Sequence, residues 1–488
     1  MNYSMIRYIL SSVICFVGIF LLLPAATAGI YQEKEGFLYL IIGLACMLIG
    51  FWGRRRKPKS SVFYSKEGFA AVALSWIILS LIGALPMYLT GEFPSYIDAL
   101  FETISGFTTT GSSILSDVET LSRGTAFWRC FTHWIGGMGV LVFIMAVMPL
   151  SDSSSMHLMR AESPGPAVGK LVPKVKTTAM ILYGIYVVFT VIEIIALLIA
   201  GMPLFDSMTL TFGTVGTGGF GLLNSSIASY STAVQIIITV FMIICSINFT
   251  VYYMFLIKRP KEALMCEEMR YYLLIVFGSA LLIAFNIRAS FASFGKAFQQ
   301  AIFQVASVIS TTGFATADFN LWPEFSRMIL VLLMFVGACA GSTGGGVKVS
   351  RLIIMVKSVR NEIMSVTHPR SVQKVHMDGR RIPDNVVKTV LCYLAGYVVI
   401  LIVSVLLISL DNFDMTTNFT AVMATFNNVG PGLNRVGPTG NFGGFSVLSK
   451  LVLIFDMLVG RLELYPMLVI FAPGLWRIHP HRHVGKVQ

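Results

Sequence analysis

Charged residues are scarce in this chain of 488 residues: Asp, Glu, Lys and Arg together make up 12% of it, while 55% is apolar. A soluble protein of this length needs more charge to cover its surface. The composition therefore excludes a soluble class and indicates a membrane protein. The seven cysteines are scattered and form no CxxC pair, so neither a disulfide framework nor a zinc site is predicted.

Catalytic motifs are missing as well. The chain contains no HExxH and no GxSxG, and no span contains clustered His or Cys residues or paired acids, so a membrane enzyme is not expected. The net charge of +12 does not indicate a nucleic-acid partner, because the basic residues fall in alternate loops between apolar segments. We expect a protein without enzymatic activity and without a bound cofactor.

Ten apolar segments are long enough to cross a hydrocarbon core of about 30 Å as helices. Of the 36 Lys and Arg residues, 27 lie in the two tails and in every second loop. By the positive-inside rule, we expect both termini on the cytoplasmic side. The predicted spans lie near residues 6–29, 36–53, 67–90, 125–149, 178–201, 231–257, 271–288, 326–347, 387–409 and 446–475.

A pattern repeats four times on the side opposite the termini. A short stretch of about three helical turns, too short to cross a membrane, leads into a turn rich in Gly and in Thr or Asn. One such turn is typical of an ordinary loop, but four between spans predict re-entrant loops. We call them turns 1 to 4: TTTGSS (108–113), GTGGFG (216–221), STTGFA (310–315) and NNVGPG (427–432).

Non-helical backbone at membrane depth is tolerated only where it is buried in protein or lines a watery path. Four such turns around one axis would offer rings of carbonyl oxygens, which replace the hydration shell of a monovalent cation. Glycine permits the backbone dihedrals that aim carbonyls inward. The pattern therefore predicts a cation pathway.

The turns resemble the filter segments of the Trk/Ktr/HKT superfamily of cation transporters, over residues 67–475. Two extra N-terminal segments and the stretch GSTGGGVKVSRL (341–352) resemble the bacterial Trk branch and its TrkH-type potassium-translocating subunit. The resemblance implies an all-α membrane fold of ten spans: four span–pore-loop–span repeats around a pseudo-four-fold axis, plus two N-terminal helices. The implied parts are two helices in 1–60, and pore repeats in 61–165, 166–262, 263–370 and 371–488, the last with a cytoplasmic C-terminus.

The resemblance also implies that main-chain carbonyls of the turns bind potassium, the substrate. In related plant proteins, Ser at the first filter position goes with sodium transport, and Gly111 stands there in this chain. Turn 4 departs most, with Asn427, Asn428 and Pro431, so the ring is not four-fold symmetric. The implied ligands are Thr109, Thr110, Gly111, Thr217, Gly218, Gly219, Thr311, Thr312, Gly313, Asn428, Val429 and Gly430.

A glycine-rich segment, residues 337–346, lies deep in the eighth predicted span. Five glycines in ten positions weaken a helix by about 1 kcal/mol each, so local unwinding is expected. Close helix packing through small residues is an alternative, whereas a P-loop fails because Val347 replaces the required Lys. The resemblance makes the segment an intramembrane gating loop, with Gly341, Ser342, Thr343, Gly344, Gly345 and Gly346 as its gate residues.

Arg461 lies within the last predicted span, where a charge is costly and normally faces a cavity or a partner. Beside a conduction path it would repel cations, which suits a gate. The alternatives are pairing with Asp456 or Glu463, or snorkelling to the interface. Arg129 and His133 are interpreted as structural polar groups.

The predicted function is potassium uptake across the cytoplasmic (inner) membrane, gated by the glycine-rich segment and Arg461. The alternative is a sodium-permeable or ion-coupled monovalent cation carrier. The resemblance further implies a homodimer in the lipid bilayer. It also implies a cytoplasmic nucleotide-binding TrkA-type ring that docks on the basic loop 348–388.

Overall fold

The computed structural model describes residues 2–56, 58, 65–139, 175–370 and 373–472, a part of the chain that is largely helical. The helices are α1 Tyr3–Ile30, α2 Gly36–Arg55, α3 Ser65–Leu89, α4 Tyr96–Phe107, α5 Arg123–Met138, α6 Val175–Ile199, α7 Leu204–Val215, α8 Thr232–Cys245, α9 Phe249–Leu256, α10 Pro260–Leu264, α11 Glu267–Ile287, α12 Phe294–Ile309, α13 Glu324–Val336, α14 Val349–Thr367, α15 Asp384–Ile408, α16 Met415–Phe426, α17 Val447–Leu462 and α18 Leu464–Ile470. Short 3-10 helices lie at Arg288–Ser290, Phe319–Leu321, Ser409–Asp411 and Asn434–Val436.

Six helices of the described ranges are long and apolar enough to cross a membrane: α1, α2, α3, α6, α11 and α15. All six coincide with predicted spans. Large apolar side chains of α2, such as Phe37, Leu48 and Trp52, are mostly exposed. Lipid rather than water suits such a surface.

Three other predicted spans are not single helices. Helices α8 and α9 are bent by 88° at a break, so an unbroken helix over 231–257 is wrong. Helix α13 ends at Val336, and α17 ends at Leu462 before Glu463, whose φ is 65°. The expectations of one helix over 326–347 and over 446–475 are corrected accordingly.

Part of the predicted organisation lies outside the described residues. This applies to residues 140–149 of the fourth predicted span, to the repeat boundary at 165, and to the C-terminal residues from 473.

All four short helices lie where the repeated pattern predicts them. Helices α4, α7 and α16 have 12 residues and α12 has 16. At 1.5 Å per residue, 12 residues reach about 18 Å, which is too short to span the bilayer core. Side-chain caps begin three of them: Ser95, Ser293 and Asp414 each accept a hydrogen bond from a first-turn amide, whereas Pro203 begins α7.

The largest apolar core joins the beginning and the end of the chain. It combines residues of α1, α3, α4 and α5 with residues of α15 to α18, around fully buried side chains such as Trp76, Trp128 and Phe107. A buried ion pair between Lys450 and Asp98, 2.6 Å long, links α17 to α4 in the same region. The fourth turn is thereby brought next to the first.

A small hairpin is the one β element of the described residues. Strands β1 (His376–Met377) and β2 (Arg380–Arg381) pair antiparallel, with His376 opposite Arg381. Asp378 and Gly379 form its turn, and both have positive φ, at 51° and 72°. This is the geometry of a tight two-residue turn, in which Asp-Gly is favoured.

Candidate functional site

Each of the four short helices ends in the same backbone path. In every turn, positive φ occurs at the glycine, between 80° and 100°, and two residues before it, between 54° and 60°. Thr, a β-branched residue, takes the earlier position in three turns, where left-handed backbone costs roughly 1–3 kcal/mol. Strain that recurs at equivalent positions indicates one shared role for the turns. The positions are Thr109 and Gly111, Thr217 and Gly219, Thr311 and Gly313, and Asn428 and Gly430.

One main-chain hydrogen bond recurs at the start of each turn. The amide just before the glycine donates to the carbonyl oxygen five residues earlier, inside the short helix. These bonds use up a helix-end carbonyl that would otherwise lack a partner. They are Thr110 to Ser105 (2.8 Å), Gly218 to Gly213 (2.7 Å), Thr312 to Ser307 (2.9 Å) and Val429 to Ala424 (2.8 Å).

The four turns contact one another in a closed cycle. Each glycine lies against the carbonyl oxygen of the residue before the glycine of the next turn, and turn 4 returns to turn 1. A Cβ on Gly430 would lie 2.7 Å from the Thr110 oxygen, and a Cβ on any of the other three would come closer still. Only glycine fits at these positions. The contacts are Gly111 with Gly218, Gly219 with Thr312, Gly313 with Val429, and Gly430 with Thr110.

Side chains close the cycle between its first and last members. Ser112 Oγ donates to the Gly430 carbonyl over 3.0 Å, and Asn428 Nδ2 donates to Thr110 Oγ1 over 2.9 Å. Asn428 Nδ2 also donates to the Met457 carbonyl of α17, at 2.9 Å. The asparagine that makes turn 4 unlike the others therefore has a specific function, which is to tie it to turn 1 and to α17.

A cavity of about 160 Å³ opens at one end of the cycle. All four turn glycines line it, together with polar side chains such as Ser112, Ser113, Asn224 and Asn441. The cavity is therefore small and has a largely polar lining, which suits a hydrated cation.

A buried ion pair holds turns 1 and 2 together. Arg129 Nε donates to Glu102 over 2.6 Å, and both side chains are buried. The same carboxylate accepts from Ser113 Oγ (2.9 Å) and from the Ile114 amide (3.0 Å), directly after turn 1. Arg129 also donates to the Gly221 carbonyl at the end of turn 2, at 3.0 Å. The structural role expected for Arg129 is confirmed.

His133 supports turn 2 in a similar way. Its Nε2 accepts from the Phe220 amide at 3.2 Å, and its Nδ1 lies 2.8 Å from the Gly106 carbonyl. Because the Phe220 amide can only donate, the ring proton is on Nδ1 and is donated to Gly106. A neutral, fully bonded imidazole matches the structural role expected from the sequence.

The connections after the turns pair two by two. Asn224 Nδ2 donates to Asp117 over 2.8 Å, which joins the connections after turns 1 and 2. This hydrogen bond holds the pKa of the exposed Asp117 carboxyl below its usual value. The Asn434 amide donates to Asn320 over 2.9 Å and joins those after turns 3 and 4. These bonds hold the connections together in pairs, and Asn224 also lines the cavity.

The glycine-rich segment is non-helical, as its glycine content predicts, and lies directly against turns 3 and 4. The Gly345 amide donates to Thr311 Oγ1 over 2.6 Å. A Cβ on Gly344 would lie 2.7 Å from the Ser310 oxygen, and one on Gly345 2.5 Å from the Asn427 oxygen. The residues contacted lie at the start of each turn, next to the short helix, whereas the cavity is lined by the glycines later in the turns. The segment and the cavity therefore lie at opposite ends of the cycle.

The break between α8 and α9 receives the glycine-rich segment. The Cys339 amide donates to the Ser246 carbonyl (3.0 Å), and the Phe249 amide donates to the Gly341 carbonyl (3.1 Å). Thr343 Oγ1 donates to the Cys245 carbonyl (3.1 Å). A continuous helix would use these groups internally, so the break supplies the partners that the segment needs. This is the physical reason for the missed bend.

Sequence reasoning did not identify two buried charged residues that hold the segment. Glu268 Oε1 accepts from the amide of Ala340 (2.7 Å), within the segment, and from the amide of Ser350 (3.1 Å), four residues after its end. Lys348, whose φ is 82°, donates from Nζ to the Gly344 carbonyl. The available signals were an acidic residue at the start of an apolar span and a lysine two residues after the last glycine.

Arg461 reaches three main-chain carbonyls from α17. Its Nη1 donates to Thr343 of the glycine-rich segment over 2.7 Å, and its Nη2 donates to Gly136 (2.6 Å) and Gly137 (2.7 Å) at the end of α5. The two acids weighed as partners have other contacts: Asp456 accepts from Ser404 (2.7 Å), and Glu463 pairs with Arg351 (2.5 Å). Arg461 thus joins the segment to the end of α5.

Within the described ranges, no three His, Cys, Asp or Glu side chains come together as a metal site would require. The donors gathered at the cycle are main-chain and hydroxyl oxygens. Neutral oxygens of this kind suit a hard alkali cation that must also be released.

Comparison with known proteins places the chain among cation transporters. The family model TrkH, described as a cation transport protein, matches residues 40–478. The Trk system potassium uptake protein TrkH of Salmonella typhimurium is 35% identical over 477 residues, which are 95% of this chain and 97% of that protein. An uncharacterized cation transporter of Methanocaldococcus jannaschii is 29% identical over 470 residues, covering 96% and 95%.

A solved structure is similar throughout. The crystal structure of the potassium transporter TrkH from Vibrio parahaemolyticus matches with a TM-score of 0.88 and 30% identity. The match covers 98% of this chain and 100% of that one.

Breaking the Glu102–Arg129 pair tests its role in holding turns 1 and 2. Glu102→Ala leaves a buried guanidinium without its carboxylate and should cost about 3 kcal/mol of folding free energy. The protein in detergent should therefore unfold at a lower temperature. Glu324→Ala is the matched control, because it removes an exposed carboxylate paired with Arg327 and should change stability by less than about 1 kcal/mol. Equal losses in the two variants would contradict a bracing role.

Proposed function

Because the chain belongs to the TrkH family of cation transport proteins, we propose that it takes up potassium ions through the cycle of four turns. The single observation that carries this proposal is the closed set of contacts in which each turn glycine meets the carbonyl of the next turn. Such a cycle encloses a common axis and presents equivalent carbonyl oxygens at one level. Relatives named as potassium uptake proteins support the choice of ion.

The fold consists of four span–pore-loop–span repeats around a pseudo-four-fold axis and two N-terminal helices, which makes ten spans in all. Four short helices, four turns with the same φ pattern and the pairing of the chain ends in one core support this arrangement. The units correspond to residues 61–165, 166–262, 263–370 and 371–488, after the helices of 1–60.

The filter binds potassium through main-chain carbonyls of the three residues that end at each glycine. Neutral carbonyls replace the hydration shell but hold the ion weakly enough for release. One ring of ligands consists of the carbonyl oxygens of Thr110, Gly218, Thr312 and Val429. The contact of each of these oxygens with the glycine of a neighbouring turn supports this ring. Glycine at all four positions leaves no side chain to narrow the ring, which favours potassium over the sodium-permeable alternative.

The gate consists of the glycine-rich segment and Arg461 beneath the filter. The segment touches turns 3 and 4 on the side away from the cavity, and Arg461 fixes it to α5. At an effective dielectric near 20 and about 6 Å, a guanidinium repels a passing cation by roughly 3 kcal/mol. Steric block and charge therefore act at the same level.

The protein works in the cytoplasmic membrane, with both termini inside, as a homodimer that binds a nucleotide-binding TrkA-type ring. The asymmetry of Lys and Arg between alternate loops supports the orientation. The exposed, basic hairpin at 376–381 offers a surface for the regulatory ring. The relatives' membership of a Trk system supports a partner of this kind.

Replacing Gly111 or Gly313 with Ser should reduce selectivity for potassium over sodium, because a Cβ there meets the carbonyl of the next turn. The measurement is the ratio of potassium to sodium flux in liposomes. Gly201→Ser is the matched control: Gly201 also has positive φ, at 86°, but has no atom near its Cβ position. Unchanged selectivity in both filter variants would remove these glycines from the filter.

Deleting residues 341–346 should raise potassium flux and leave cation preference nearly intact, because the barrier beneath the filter is lost while the turns remain. Size-exclusion profiles and unfolding temperature of the purified protein establish that it is still folded. A folded variant without flux would show that the segment serves helix packing instead of gating.

Arg461→Ala should raise potassium flux, since both the positive charge and the link to Thr343 are lost. Arg461→Lys keeps the charge and should stay nearer to wild type. Arg259→Ala, which removes an exposed arginine in the loop before α10, is the control for a change of net charge. Lower stability in Arg461→Ala without a gain in flux would rule out the gating role.

A further inference from the structure

Two consecutive acids at the start of α11 contact both the glycine-rich segment and the hairpin of β1 and β2. Glu268 points to the segment and is buried, whereas Glu267 faces the hairpin and is about one-third exposed. Adjacent residues in the first turn of a helix move together. A rigid element therefore lies between an exposed surface feature and the segment.

The inner half of this connection is a single carboxylate oxygen. Glu268 Oε1 accepts hydrogen bonds from the amide of Ala340, in the first half of the glycine-rich segment, and from the amide of Ser350, in the first turn of α14. The segment and the helix that follows it are thereby held to the same atom. Hydrogen bonds to a carboxylate are stronger than those between neutral groups, so these two bonds favour the conformation described here.

The outer half consists of three contacts around Glu267. Its amide donates to Asp378 Oδ1 over 2.7 Å, at the tip of the hairpin. Its carboxylate pairs with Lys357 of α14 over 2.6 Å, and Lys357 Nζ also donates to the His376 carbonyl over 2.8 Å. The hairpin is thus attached to α11 and to α14, the two helices that meet at Glu268.

The hairpin is suited to transmit a displacement. Its tight turn is set by the positive φ of Asp378 and Gly379, and its base is closed by the Ile382 amide bound to the Val375 carbonyl (2.8 Å). Val375 is buried, while Arg380 and Arg381 are exposed. On the exposed side, Arg381 pairs with Asp384 of α15 over 3.4 Å. A ligand or protein that binds this side therefore moves a stiff body, and the contacts with Glu267 and Lys357 pass the displacement to α11 and α14.

We propose that Glu268 is a positioning residue that keeps the glycine-rich segment closed, and that Glu267 couples it to the hairpin through Asp378 and Lys357. The inference rests on the proposed gating role of the segment. Loss of the outer contacts weakens the conformation in which they occur, and the equilibrium shifts towards open forms. The hairpin therefore acts on the gate through the start of α11, where Glu267 and Glu268 are adjacent residues.

The test compares Asp378→Gly with Asp378→Asn by potassium flux in liposomes. Glycine keeps the left-handed backbone but removes the acceptor, whereas asparagine keeps both. One lost hydrogen bond corresponds to about 0.5–1.5 kcal/mol, so flux should rise by a factor of about 2 to 10 in the glycine variant and stay at wild type in the asparagine variant. Lys357→Met, which cuts the link from α14, should also raise flux. Glu262→Ala removes an exposed acid that pairs with Arg259 and should have no effect.

We call the contacts of Glu267 with Asp378 and Lys357 the relay. The same comparison in a protein lacking residues 341–346 separates the effect of the relay from that of the gate. If the deletion raises flux and Asp378→Gly adds nothing further, the relay acts through the segment. An equal increase in both backgrounds, or no increase from Asp378→Gly and Lys357→Met while the deletion raises flux, would overturn the relay and leave the gate intact. A deletion that does not raise flux would overturn the gate itself, and the relay with it.

Discussion

Main-chain amides and carbonyls that leave helical geometry inside a membrane need partners from the protein, because the hydrocarbon core supplies none. This chain leaves helical geometry at four turns and again in the glycine-rich segment. Dedicated partners elsewhere hold turns 1, 2 and 4 and the segment. Turns 1 and 2 depend on Glu102, Arg129 and His133, and turn 4 depends on Asn428. The segment depends on the broken helix α8–α9 and on Glu268.

The requirement for internal partners explains why charged residues lie deep in so apolar a chain. Arg461 and Lys348 donate to carbonyls, and Glu268 accepts from amides. Each charge thereby satisfies backbone groups that a helix would satisfy by itself. Such bonds are directional and few, so a segment held by them has a small number of distinct arrangements. The proposed gating role requires a segment that can change between distinct arrangements, which a continuous packed helix could not do.

The sequence predicted the features that are local and repeated. The four short helices follow from the length of the stretches before the turns, and the turns follow from glycine next to Thr or Asn at matching positions. The unwinding after Val336 follows from five glycines in ten residues. All of these depend on neighbours within a few positions, which a single sequence displays.

Features that depend on distant partners were missed. The bend between Cys245 and Phe249 exists because residues almost a hundred positions later need its carbonyls, as the Thr343 bond to Cys245 illustrates. Glu268 looked like an ordinary acid at a helix start, where it also suits the helix dipole. Arg461 was recognised as unusual, but its carbonyl partners on α5 and the segment were not foreseen. Periodicity and composition carry no information about such contacts.

The most direct test of the account is cation flux through the purified wild-type protein in liposomes, with potassium, rubidium and sodium compared under the same gradient. A ring of neutral carbonyls without side chains at its glycine level predicts similar flux for potassium and rubidium and much lower flux for sodium. Equal flux of sodium and potassium would contradict the assignment of the four turns as a potassium filter.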